Sequence, residues 1–416
     1  MRLKRNYFIF GCSFFFSLGA NILGFSLIYR LTDRFFFNPG QVGSFVAMGQ
    51  LFYFLGCNLY HRIGSVFSPI KVFPVAAVIV FAASIPVGFA QARPLVYATY
   101  WVLQISTGFF WPPVMAWLTG ELNQKELNRE LSIFNRSWNA ASILGPFVSG
   151  TLYRWNSDAN FILLIFSYFM VVALLVLMKL LTSDESIKGT VLPASPAVQK
   201  NTEIAPNEKR PVLSSADKKL DFFRYRGWIG AFSSTLVLGV LGNILPIHIR
   251  DGLGFTEQSA GMILFVRSIA GFIAFSILAR YSAWHFNRRW SMILQGGLML
   301  CACFFLLAGN KLAVFFLIVI VCGFLNSGCY NTSIFYSGAT GKNPKKNMAL
   351  HEICLALGNA TGSAGGGFFY QHFRFTGTCL ALFAFLGIGM GIHAFLNRKD
   401  AAIESGIIPS GRKGKA

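Results

Sequence analysis

Apolar residues run through this chain in stretches of about twenty, broken by short polar joints. A helix of that length can cross the core of a bilayer at about 1.5 Å per residue. Twelve such runs are read, at roughly 7–29, 41–60, 71–90, 96–118, 131–153, 160–181, 228–249, 259–280, 290–309, 312–337, 347–370 and 376–396. In lipid the backbone must satisfy its own hydrogen bonds, so these runs are predicted to be helices, spans 1 to 12. Span 1 follows "MRLKR" but is too long for a signal-peptide core, lacks a small-residue cleavage site and leads into further spans. The predicted class is an all-α membrane protein.

The pattern breaks once. Residues 182–226 are rich in Pro, Ser, Lys and Glu without usable periodicity, which reads as a disordered linker. Six spans precede it, in residues 1–181, and six follow, in residues 227–397; a basic tail, 398–416, ends the chain. The halves echo each other in order. Asn21 in "LGANIL" matches Asn243 in "VLGNIL", Arg62 matches Arg280, Gly108 in "ISTG" matches Gly328 in "LNSG", and "SIFNRSWNAASILGPFVSG" matches "MALHEICLALGNATGSAGGG" at an offset of 216. That last alignment sets Arg136 opposite Glu352. Matches in order at nearly constant offset predict a duplicated six-helix unit.

Charge changes the picture by fixing orientation. The net charge is +20, yet only 12% of residues are charged. With both termini inside, 27 of the 36 Lys and Arg fall on the cytoplasmic side and seven fall outside. This positive-inside bias predicts cytoplasmic termini and a cytoplasmic linker; the plasma membrane is the expected location. The basic residues are scattered over loops and tails with no aromatic-interleaved face, which argues against nucleic acid as a partner.

Enzyme chemistry finds little support. All eight Cys lie in or at the ends of apolar runs, and Cys301-x-Cys303 has no second ligand pair, so neither a disulfide framework nor a metal site is read. "GATGKN" (338–343) resembles a phosphate loop, but Tyr336 stands where its first Gly should be and Asn343 replaces Ser or Thr. No cofactor is implied.

Twelve spans in two six-span halves around a long central loop resemble the major facilitator superfamily of secondary transporters. "CNLYHRIGS" keeps Leu59, Arg62 and Gly64 of that family's Gly-x-Leu-Ala-Asp-Arg-x-Gly-Arg signature, but His61 replaces the Asp; "LARYSAWHFNRR" keeps Arg280. The resemblance implies two pseudo-symmetric bundles that rock about a central cavity. It also implies that spans 1, 4, 7 and 10 line the cavity, and that spans 2, 5, 8 and 11 form the contact between halves. A small solute would bind near the midplane. Candidate substrate-binding residues are then Asn21, Gln104, Trp111, Asn243, Arg267, Asn326, Tyr330 and Asn331, with His248 and Gln50 nearby. Bridging between helices is the competing reading of each amide.

Charges within spans are costly and tend to be functional. Arg267 is closest to the midplane and is the first choice for an anionic solute. Arg136 and Glu352 are candidates for coupling or gating; the competing reading of Arg136, about five residues into span 5, is a side chain that snorkels to the cytoplasmic interface. Glu352 is the only acid placed within a span, so it can carry a proton; it can equally pair with Arg136 when the cytoplasmic side closes. Gly358, Gly362 and Gly366 recur every four residues, as do Ser142, Pro146 and Gly150 in span 5, beside Gly145. Small residues at this spacing admit close helix approach, which suits a contact between halves and equally suits static packing of helices. Lipid, a small solute and protons are the expected partners of a monomer. A receptor or scaffold on a transporter fold is the alternative from another class.

Overall fold

A computed structural model describes residues 2–63, 66–119, 124–181, 223–278, 280–281, 283–285, 287–339 and 344–404. Among them the regular structure is helical, and nine helices are long and apolar enough to cross a membrane. Spans 1, 2, 3, 6, 8, 9 and 10 are the helices Arg2–Asp33, Pro39–Ile63, Pro69–Phe89, Ser157–Leu181, Glu257–Leu278, Arg288–Leu307 and Leu312–Ala339.

The remaining spans depart from simple rods. Span 4 is two helices, Arg93–Gly108 and Trp111–Thr119, and span 5 is the long helix Gln124–Trp155, whose first turns are too polar for lipid. Span 7 starts at Phe223, so 223–226 are helix rather than linker; 182–222 lie outside the described residues. It runs through Phe223–Asn243 and Leu245–Ile247 into a π-helical turn, His248–Gly252. Spans 11 and 12 form one stretch, Pro344–Glu404, broken at Arg374 (φ 58°, ψ −164°). The helix thus runs into the predicted tail as far as Glu404, and 405–416 lie outside the described residues.

Each half packs around its own core. In the first, Phe16 of span 1 stacks on Phe110 at 3.9 Å and meets Trp111 and Tyr168 edge-on, which ties spans 1, 4 and 6 together. Two seams join the halves, span 2 against span 11 and span 5 against span 8. They are near copies. A Cβ added to Gly150 would lie 3.1 Å from the Cα of Gly261; one added to Gly367 would lie 3.1 Å from the Cα of Gly43. Only glycine admits backbones this close.

These seams correct two expectations. Gly150 and Gly367 are equivalent, an offset of 217 rather than 216, so Ile353, not Glu352, is the counterpart of Arg136. The predicted glycine face also points elsewhere. Gly358 lies against Phe232 and Thr235, Gly362 against Leu236, and Gly366 against Val240 and Ile244, all in span 7 of the same half. Gly145 likewise lies against Asn21 of span 1. Of the five glycines expected between the halves, Gly150 is the one at a seam. A period of four marks a close approach but does not say which neighbour makes it.

Candidate functional site

Two faces of the bundle can be told apart: the terminal face, where span 1 begins and span 12 ends, and the opposite face. At the opposite face a cluster bridges the halves. Arg250, at the end of span 7, reaches Asp33 at the end of span 1, with Nη2 2.8 Å from Oδ1 and Nη1 donating to Oδ2 at 2.9 Å. Its Nη2 also donates to Thr32 at 3.0 Å, its Nε contacts Asp251 at 2.6 Å, and Glu257 stands 3.6 Å from Nη1. The guanidinium lies 4.6 Å from the centre of the Tyr29 ring. Tyr29 donates to the carbonyl of Pro246, Tyr153 donates to Asp33, and Arg154 donates to Gln258. The planar guanidinium fork suits this many simultaneous contacts, and three carboxylates satisfy it. The bonds Tyr29–Pro246, Asp33–Arg250, Thr32–Arg250 and Arg154–Gln258 all cross between the halves at this face. In the sequence Arg250 is one of the seven basic residues that fall outside. The acids Asp33, Asp251 and Glu257 at the ends of spans 1, 7 and 8 were the signal available.

Deeper in, several candidate residues turn out to hold helices together. Asn21 donates to Ser142 at 3.2 Å and to the Ser17 carbonyl; Asn243 donates to Ser363 at 2.8 Å and to the Gly239 carbonyl. The two amides therefore tie span 1 to span 5 and span 7 to span 11. Gln104 donates to Tyr100 one turn away, and Trp111 belongs to the aromatic core of the first half. His248 stacks on Phe375 at 4.0 Å beside Tyr370.

Arg267 and Asn326 behave differently. Arg267 sits ten residues from Glu257 and eleven from Leu278, the middle of span 8. It is half-buried, and among the described residues its one hydrogen bond is a long one to Ser268, 3.5 Å; no carboxylate pairs with it. Span 10 packs on its turn, with Gly323 against the Arg267 carbonyl and Ser327 against Gly271. Asn326 lies on that stretch, 5% exposed, and neither its Oδ1 nor its Nδ2 has a hydrogen-bond partner. A buried amide without partners is costly, so this turn favours a polar occupant. Asn331 and Tyr330 are half-buried further along the same span.

Toward the terminal face, Glu352 is exposed and does not pair with Arg136, which is exposed too. The carboxyl instead acts electrostatically on Tyr53 and Cys57 of span 2 and on Tyr330 of span 10. His351 points away, buried against Ser333 at 2.8 Å. A groove of about 640 Å³ along spans 11 and 12 is lined almost wholly by apolar groups, among them Phe369, Leu380 and Ile388, and does not reach these residues.

The family model described as Major Facilitator Superfamily matches residues 9–341 and 228–413. The chain belongs to the Major Facilitator Superfamily. No curated protein matches the sequence. Among solved structures, a bacterial homolog of the human lysosomal transporter Spinster, inward-facing and occupied, superposes with a TM-score of 0.68 at 11% identity, covering 96% of this chain and 98% of that one. A POT family transporter in complex with 5-aminolevulinic acid gives 0.72 at 13% identity, with 96% of each chain covered. A peptide transporter POT in complex with sulfate gives 0.69 at 14% identity, covering 97% and 95%. At these identities the likeness shows the fold.

For a superfamily transporter the arrangement has a direct meaning. The Arg250 cluster and the two glycine seams hold the halves together at one face. Arg267, Asn326 and Glu352 lie on spans 8, 10 and 11, between that face and the terminal face.

Proposed function

We propose that this superfamily member is a secondary transporter of a small organic anion, working by alternating access. The observation that carries the anion is Arg267: a guanidinium at mid-span with no carboxylate partner among the described residues, on the same packed turn as the unpartnered amide of Asn326. A charge there is expensive unless an opposite charge visits it. The solute's anionic group would lie on Arg267, with Asn326 and Ser268 supplying further hydrogen bonds. Tyr330 and Asn331 would line its path. Two of the similar structures are in complex with 5-aminolevulinic acid, a zwitterion with one carboxylate, and with sulfate.

Glu352 is the proposed coupling site, where a proton would bind and leave once per cycle. The terminal face is assigned to the cytoplasm of a plasma-membrane protein from the excess of Lys and Arg there, so the state described is closed outside and loads from the cytoplasm. An impermeant thiol reagent should then leave Ser195→Cys unmodified in intact cells; modification reverses the orientation.

The substrate test uses the purified full-length monomer in a thermal-shift screen of small carboxylates, sulfonates and phosphates, each beside a neutral amide or alcohol of similar shape. Stabilisation by an anion series that disappears in Arg267→Ala and partly persists in Arg267→Lys supports the reading, because Lys keeps the charge and loses the fork. Equal stabilisation by the neutral analogues, untouched by Arg267→Ala, overturns it.

A further inference from the structure

The span 2–span 11 seam fixes what stands opposite Glu352. The two helices run antiparallel, with Gly43 against Ser363 and Gly367, and Pro39 against Gly367. Both helices rise by the same amount per residue. Following the contact toward the terminal face therefore brings the Glu352 turn level with the stretch that holds Tyr53 and Cys57, one turn apart on span 2. Electrostatics agree: Glu352 acts on both, and Tyr53 is also within range of Tyr330. Tyr53 and Cys57 stand on the same face of span 2, four residues apart. The span 5–span 8 seam, with Gly150 against Gly261, carries Arg136 on the other side of the bundle. Arg136 and Glu352 thus belong to different seams.

We propose that Tyr53 and Cys57 of span 2 are the groups against which Glu352 closes: as the terminal face shuts, the Tyr53 hydroxyl turns to the Glu352 carboxylate, and the proton load of Glu352 sets how readily spans 2 and 11 come together. This rests on the reading of Glu352 as a coupling site. The physical need is plain. In the present state the carboxyl is exposed, and closure takes its water away. A carboxylate losing water must gain either a proton or a donor. Tyr53 is a donor from the opposite half, and Tyr330 is a second from span 10. Span 7, also packed on span 11, presents Phe232, Thr235 and Leu236. His351 is turned onto Ser333. No charged side chain among the described residues acts on Glu352, so hydroxyls and a proton are what remain to balance it.

Two measurements on the reconstituted full chain test this without a known substrate. First, pH-difference infrared spectroscopy follows the protonated-carboxyl band, assigned to Glu352 by its loss in Glu352→Gln. Tyr53→Phe should move the midpoint of that band to higher pH by about one unit, the scale of one hydrogen bond to a charged group. An unmoved midpoint overturns the role of Tyr53 and leaves coupling standing; no band assignable to Glu352 overturns the coupling reading itself. Second, a short bifunctional thiol reagent should link Glu352→Cys to native Cys57, read by mass spectrometry of the joined peptides. Linking in the Arg136→Cys/Glu352→Cys pair instead, with none to Cys57, overturns the seam assignment even if Tyr53→Phe fails to fold.

Discussion

Arg250 and Asp33 meet at 2.8 Å although 217 positions separate them in the chain. One belongs to each half, so the pair can exist only while the opposite face is closed. Arg250→Ala removes the contacts to Asp33, Thr32, Asp251 and Glu257 together and should shift the population toward the state open at that face. The expected result is a several-fold rise in labelling, by an impermeant thiol reagent from that side, of a cysteine placed at Ala20, an exposed position within span 1. Asp33→Asn should give a smaller rise, because Asp251 and Glu257 still hold the guanidinium. Unchanged labelling in both variants would show that the cluster does not latch the face.

Asn21 and Asn243 each bridge two helices of one half, through Ser142 and Ser363. Hydrogen bonds between membrane helices contribute on average about 0.6 kcal/mol, so Asn243→Ala should lower the melting temperature by only a few degrees. Ser363→Ala should cost a similar amount, and the double variant little more than either, since both remove one bond. A collapse of folding in Asn243→Ala would mean that the amide has a larger role than the bridge seen here.

Gly261 stands at a seam, whereas Gly365 has nothing within 4 Å of where a Cβ would be. Gly365→Ala should raise stability by up to about 1 kcal/mol through helix propensity. Gly261→Val should lower it by about 1–3 kcal/mol and push the seam apart, because its side chain meets the backbone of Pro146 and Gly150. Thermal unfolding in detergent compares them directly. Equal effects of the two substitutions would contradict the close approach.

Arg136 and Glu352 lie on different seams, so the charge swap Arg136→Glu with Glu352→Arg should not restore what either single change loses. The readout is anion-induced thermal stabilisation, measured with the best anion from the screen. Recovery in the swap would show that the two residues pair in another state.

Much of this architecture could be read from the chain. The apolar runs, the sharp compositional break after Leu181 and the paired Asn21 and Asn243 led to two six-span halves, because lipid leaves the backbone almost no alternative to helix. The site was less legible. Periodicity showed that Gly358 and Gly362 face something close, but that the partner is span 7 depends on how the helices are packed, which no local pattern encodes. Arg250 looked like a loop cation because its acids come from the ends of other helices. Asn326 resembled every other span amide; only packing reveals that Asn243 is bonded while Asn326 is not. Tyr53 drew no notice, since a tyrosine in an apolar run carries no sign of the carboxyl across the seam.

Spans 11 and 12 turn into each other at Arg374 with almost no loop between them, and Thr378 braces the turn by donating to the carbonyls of Gly366 and Arg374. A hinge needs slack, and here there is none. The two helices must therefore swing as one lever, so that a small displacement where Gly367 meets Gly43 is carried to the far end of span 12, where Asn397 accepts a hydrogen bond from Arg226 at the root of span 7. Slack added at this one corner, for example three glycines inserted after Arg374, would uncouple the two arms while leaving each helix intact.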